Sequence, residues 1–142
     1  MNKFFCSICI LLSFASCKKE ATTQPPNDPY ERWRSYGVHT YTVDQTRNCY
    51  CPNGGEKMRL FIKSDTVSSV VRLSDGTALA YGSFPAYWSV DSMFTYLKSS
   101  KDSMVVRYND KYGFPEYLDI NPQLHPVDGG ALYETSNLQI QQ

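Results

Sequence analysis

Hydrophobic and polar positions alternate most cleanly over residues 57–63, "KMRLFIK". Met58, Leu60 and Ile62 fall on one side, and Lys57, Arg59 and Lys63 on the other. A period of two is the mark of a strand with one buried face. Phe61 breaks the polar side and hints that this side is also partly covered. "SDT" turns the chain, and "VSSVVRL" is read as the returning strand, with Val67, Val71 and Leu73 on one face before an Asp75-Gly76 turn. Upstream, "VHTYTV" at residues 38–43 is rich in β-branched and aromatic residues and reads as a first strand. The period changes after Ser89. Val90, Met93, Phe94 and Leu97 follow i, i+3, i+4, i+7 spacing, which predicts a helix over 89–99 with one apolar stripe. That spacing alone accounts for its methionine and phenylalanine, so no cofactor is needed to explain them.

The remaining elements follow from turn chemistry. "DPYE" places Asp28 at an N-cap, Pro29 at the first helical position and Glu31 two residues further on; Gly37 suits the helix end. This short helix depends on packing Trp33. "DSMVVRY", "EYLDI" and "ALYETSNLQI" read as strands, separated by "NDKYGFP" and "NPQLHPVDGG". The order is helix, three strands, helix, three strands. Hairpin-linked strands with only two helices predict an α+β fold, an antiparallel β-sheet with both helices packed on one face. The two halves share a plan, but their residues match too weakly to define a repeat.

The stretch "LAYGSFPAYW" at residues 79–88 has no period and four aromatics. It reads either as a loop folded over one end of the core or as a binding loop, in which case Phe84, Tyr87 and Trp88 are the candidate binding residues.

The amino terminus bears on location. Lys3 precedes an apolar run of about 13 residues, "FFCSICILLSFAS", shorter than the ~20 residues that span a bilayer. Small residues Ala15 and Ser16 stand directly before Cys17. The arrangement resembles a bacterial lipobox, which implies a signal peptide at 1–16, cleavage before Cys17 and acylation of that residue. Two or more acyl chains hold a protein on a membrane far better than one. Residues 17–27 then form a polar, proline-containing tether carrying Lys18 and Lys19, and one folded domain occupies 28–142. The expected setting is the bacterial cell envelope, with the chain lipid-anchored to a membrane, the outer membrane foremost, and facing periplasm or exterior.

Composition narrows the classes of function. Fourteen basic residues balance fourteen acidic ones, so no global field gathers nucleic acid. Of five cysteines, Cys6 and Cys9 leave with the signal and Cys17 takes lipid, so Cys49 and Cys51 are the thiols that remain in an oxidising compartment. Metal binding, a redox pair and a local staple are all open to them. Structural zinc usually adds a second ligand pair, and His39 and His125 lie far apart in sequence. A redox thiol gains from a helix N-terminus, which a cysteine pair ahead of a strand lacks. A Cys49–Cys51 disulfide is the expected state: it fits the compartment provided the chain bends, since Cα atoms must lie within about 6.8 Å.

Taken in order, "YTV" before "CYCP", a strand pair, "SVDSMFTYL", and "VRYNDKYGFPEYLDI" with Asp128 beyond it resemble the bacterial domain of unknown function DUF6174. The resemblance spans roughly residues 28–140. Phe114 stands where tyrosine is common in the family, and Asn109 where aspartate is common. It implies a secreted or lipid-anchored α+β domain with a CxC after its first strand, and it supplies no activity.

Catalytic classes find little support. There is no GxSxG elbow and no defensible Ser-His-Asp spacing. Asp110, Glu116, Asp119 and Asp128 are candidates only by being acidic, "YNDKYG" offers too few oxygen ligands for calcium, and no glycine-rich phosphate loop is present. The sequence therefore points to a non-enzymatic envelope domain with no cofactor. It would bind a membrane through its anchor and an unidentified envelope protein or ligand through its surface. Thiol-redox or metal handling through Cys49 and Cys51 is the alternative.

Overall fold

The computed structural model describes residues 25–141. The expected signal peptide, Cys17 and most of the expected tether lie outside the described residues. Helix α1 (Pro29–Ser35) is followed by strands β1 (Tyr41–Asn48), β2 (Lys57–Lys63) and β3 (Thr66–Arg72). Helix α2 (Val90–Ser99) is followed by β4 (Met104–Tyr108), β5 (Pro115–Ile120) and β6 (Ala131–Ile140). Two 3₁₀ helices lie in the connections, at Tyr81–Ala86 and Pro122–Val127. All strands join one antiparallel six-stranded sheet in the order β3-β2-β1-β6-β5-β4. The α+β architecture is the one the sequence predicts. The order also explains why the halves do not match as a repeat: the first strand of one half is central, whereas the first strand of the other is an edge.

Local chemistry sets most boundaries. Asp28 accepts the Glu31 amide at 2.9 Å and opens α1, and Gly37, at φ 58°, follows its last turn. Ser89 caps α2 by accepting the Ser92 amide at 3.2 Å. Ser64 and Asp65 both take positive φ between Lys63 and Thr66, the conformation that a two-residue hairpin turn demands. The Asn109 side chain accepts the amides of Lys111 and Tyr112 in the β4–β5 turn. Gly113 sits there at φ 81°, where a Cβ would run into the Pro29 carbonyl, so α1 can dock on this turn only against glycine.

Tyr41, Val43, Met58, Leu60, Ile62 and Val70 face the helices and are buried. Trp33 of α1 meets Tyr41 edge-on, with ring centroids 5.4 Å apart, and Tyr30 meets Phe94 of α2 at 5.1 Å. Met93 packs with Leu118, Ile120 and Tyr133 on the β5–β6 side, and Leu97 touches both groups. Fully burying a side chain of this size contributes about 1.5–3 kcal/mol.

Two expectations need correction. The first strand begins at Tyr41 rather than residue 38, and it continues through the polar run to Asn48. The reason is tertiary. β1 is central, paired with β2 on one side and β6 on the other, so its polar groups find partners that the local pattern does not reveal. Val67, Val71 and Leu73 do not share a face. The β2–β3 register shifts after Phe61, where Ser68 donates to the Phe61 carbonyl at 2.9 Å. That bulge moves Val70 onto the core face beside Val67, and leaves Val71 half-buried and Leu73 exposed.

Candidate functional site

The loop from Ala80 to Ser89 is fixed to the sheet by buried polar side chains. Gln45 is fully buried; its Nε2 donates to the Trp88 carbonyl, and its Oε1 accepts the Trp88 amide, both at 3.1 Å. The Tyr41 hydroxyl accepts the Val90 amide at 2.8 Å, satisfying a donor in the first turn of α2. Burial pushes the Tyr41 phenol well above its ordinary value, so it stays neutral. These bonds hold the 3₁₀ helix Tyr81–Ala86 beside α2.

Between this 3₁₀ helix, α2 and the β2–β3 turn lies an open cleft of about 660 Å³. Tyr81, Phe84, Tyr87, Trp88 and Tyr96 supply its aromatic surface, and Asp65 and Asp91 its carboxylates. The rings brace one another: Tyr81 and Phe84 centroids are 5.2 Å apart, Trp88 and Tyr96 4.8 Å, and Trp88 stacks on Tyr133 at 4.7 Å. Tyr81 is 83% exposed, whereas Tyr87 is 3% exposed. Asp91 Oδ2 accepts the Trp33 indole N–H at 3.2 Å, and burial pushes its carboxyl above the usual range despite that bond.

The residues singled out from sequence fall as follows. Phe84, Tyr87 and Trp88 all line the cleft, Tyr87 as a core residue showing one face to it. The loop closes one end of the core, and its outer side forms a concave surface. Tyr81, Asp91 and Tyr96 were not singled out. Tyr81 stood unmarked among the loop aromatics, and Asp91 reads in sequence as an acidic residue suited to a helix N-terminus.

Cys49 and Cys51 are bonded to each other just beyond β1, with Cα atoms 5.3 Å apart. The Cys51 amide donates to the Cys49 carbonyl at 2.9 Å, which supplies the bend such a pair needs, and Tyr50 is thrust outward at 89% exposure. Arg47 links this tip to the aromatic loop: its Nη2 donates to Cys51 Sγ at 2.9 Å and its Nη1 to the Ala86 carbonyl at 3.3 Å.

The other candidates do not converge. His39 pairs with Asp65 at 2.9 Å, and His125 with Asp119 at 3.0 Å. The Asp110 carbonyl accepts from Arg32, and Glu116 accepts from Asn109. Among the described residues, no group of three or more His, Cys, Asp or Glu side chains is placed to hold a metal ion.

The described residues thus form a small α+β domain with an aromatic and acidic cleft. Its sequence matches the family described as "Family of unknown function (DUF6174)" over residues 27–140, and the chain belongs to that family. No curated protein and no solved structure matches it.

Proposed function

We propose that this chain is a lipid-anchored cell-envelope protein whose domain is a non-enzymatic binding module, and that the aromatic cleft is its binding surface. The observation that carries the reading is the cleft itself. Its volume of about 660 Å³ falls within the ~300–1,000 Å³ common for small-molecule sites. Its walls are aromatic, and its loop is pinned from beneath by Gln45 and Tyr41. A preorganised concave surface binds at lower entropic cost than one that must form on contact.

Binding is tested by NMR titration of the full chain with a library of small soluble fragments. Responses should concentrate on Tyr81, Phe84, Trp88 and Tyr96. Responses concentrated instead at residues 49–52, or spread over the surface, overturn the cleft reading. The anchor is tested apart from it: Cys17→Ser should release the protein from membrane fractions or leave it unprocessed, and equal membrane association of both forms rejects the lipid anchor.

The competing reading, thiol-redox or metal handling through Cys49 and Cys51, has one observation in its favour. A guanidinium beside Cys51 Sγ would favour a thiolate after reduction. A Cys49→Ser, Cys51→Ser variant separates the two. Unchanged fragment binding supports the cleft, whereas loss of thiol exchange or of copper tolerance in cells supports the alternative.

A further inference from the structure

We propose that the cleft takes a small organic cation, its ammonium group seated beside Asp91 and its body against the aromatic walls. The inference rests on the cleft being the binding surface, and it names the class of ligand.

Charge is the first argument. The charged residues lining the cleft are Asp65 and Asp91; no lysine, arginine or histidine is among its lining residues. Asp65 already has a partner, since His39 Nδ1 lies 2.9 and 3.0 Å from its two oxygens. Asp91 has only neutral donors, the Trp33 indole and its own backbone amide, and among the described residues no cationic side chain lies within ion-pair distance of it. Asp91 is thus a half-buried carboxylate with no ion-pair partner, and burial together with the neighbouring Asp65 charge holds its carboxyl above the usual range.

The shortage of free hydroxyl donors weighs against the obvious rival, a carbohydrate. Aromatic walls also suit sugars, but sugars need several free donors and acceptors beside the rings. Here the Ser and Thr hydroxyl protons are already committed, so these groups offer a ligand acceptors but few donors. Ser92 bonds Ser89 at 2.9 Å, Thr95 donates to the Asp91 carbonyl at 2.9 Å, Ser99 donates to the Thr95 carbonyl at 2.9 Å, and Thr66 donates to the Ser64 carbonyl at 3.3 Å. The Tyr96 hydroxyl donates to Asp102, and the Tyr87 hydroxyl is buried beyond a ligand's reach. Two lining groups keep capacity to spare, the exposed Tyr81 hydroxyl and the Asp91 carboxylate, and of these the carboxylate carries charge. Aromatic faces beside a lone carboxylate suit a cation, which gains from ring quadrupoles and from the charge together.

The test compares choline with 3,3-dimethylbutan-1-ol, which has the same shape without the charge. Each is titrated into the full chain in a nonionic polyoxyethylene detergent, with Trp88 fluorescence and calorimetry as readouts. Choline should bind at least about tenfold more tightly than its neutral counterpart. Asp91→Asn, which keeps an acceptor for Trp33, should remove that preference with the melting temperature held. Tyr81→Ser, at an exposed position, should weaken choline binding in the same fold.

Equal binding of the two probes at the cleft overturns the cation assignment while leaving the cleft as a binding surface. A choline preference that survives Asp91→Asn overturns the placement at Asp91. A cleft response to maltose that exceeds the response to choline overturns the inference in favour of a sugar. Fragment responses located elsewhere on the domain remove its foundation.

Discussion

The two faces of the sheet bury polar groups by opposite means. On the helix-covered face, Tyr41 and Gln45 are among the few polar residues in an apolar layer; both direct polar atoms at backbone in the Trp88–Val90 segment, and Gln45 also donates to the buried Thr135 hydroxyl. On the other face, buried carboxylates are met by partly exposed basic side chains. Asp44 is 6% exposed and takes a two-point bond from Arg59 at 2.8 and 3.0 Å, plus the Asn137 amide at 2.9 Å. Asp119, also largely buried, is met by His125 from the second 3₁₀ helix. One face is held by apolar area and uses its few polar groups to position a loop. The other has no α-helix over it among the described residues, and its buried carboxylates take basic partners from the sheet and from the second 3₁₀ helix.

The largest expected effect tests the apolar face. Phe94→Ala removes a ring packed on Tyr30 and Tyr108 and should cost about 3–5 kcal/mol in denaturant unfolding. A loss below that of a surface substitution would show that α2 does not cover the sheet as described.

Next comes the charged face. Asp44→Asn should cost about 2–3 kcal/mol near neutral pH, because Arg59 and Asn137 lose a charged acceptor. Burial alone would raise the Asp44 carboxyl, but the Arg59 and Asn137 bonds outweigh it and hold the carboxyl below its usual range. Its folded value is therefore the lower one. The stabilisation is fully present above the unfolded value of about 3.9 and is lost as pH falls through the folded value. The gap between the native protein and Asp44→Asn should close on acidification; a gap that widens below pH ~4 contradicts the pairing.

Gln45→Leu sharpens the comparison from the helix side. It should cost about 1–2 kcal/mol by leaving the Trp88 amide and carbonyl without their partner. It should also disturb fragment responses at Trp88, a readout that Asp44→Asn should not move. Equal loss of cleft binding in both variants would show that the faces are not separable.

The smallest effect is expected at the Cys49–Cys51 tip. A ring of this size removes little freedom from the unfolded chain, so Cys49→Ser, Cys51→Ser should change stability by on the order of 1 kcal/mol. Intact mass with and without reductant checks the bond itself.

Much of the fold was legible because its signals are local. The Met58–Leu60–Ile62 alternation, the Val90–Met93–Phe94–Leu97 stripe, and the caps at Asp28 and Ser89 each act within one element. The Ser68 bulge, the polar half of β1 and the strand order were not legible, because their causes lie across the sheet. Asp44 reads as a strand breaker until Arg59 and Asn137 are beside it. The cleft was half legible. The aromatic density of residues 79–88 drew attention to Phe84, Tyr87 and Trp88, but the acidic partner comes from α2, where Asp91 looks like an ordinary first-turn residue.

The pairing of β1 with β6 has a kinetic consequence. The first and last strands are neighbours at the centre of the sheet, with Tyr41 opposite Ile140. Until β6 is available, the β1–β3 meander and the β4–β5 hairpin have no hydrogen-bonded ladder between them. Loop closure over nearly the whole domain must precede that contact, which places folding among slow, high-contact-order sheets, in about the millisecond-to-second range. A domain whose sheet is completed by a 10-residue strand made after all its neighbours stays unfinished, with the β1 edge open, until β6 has been synthesised.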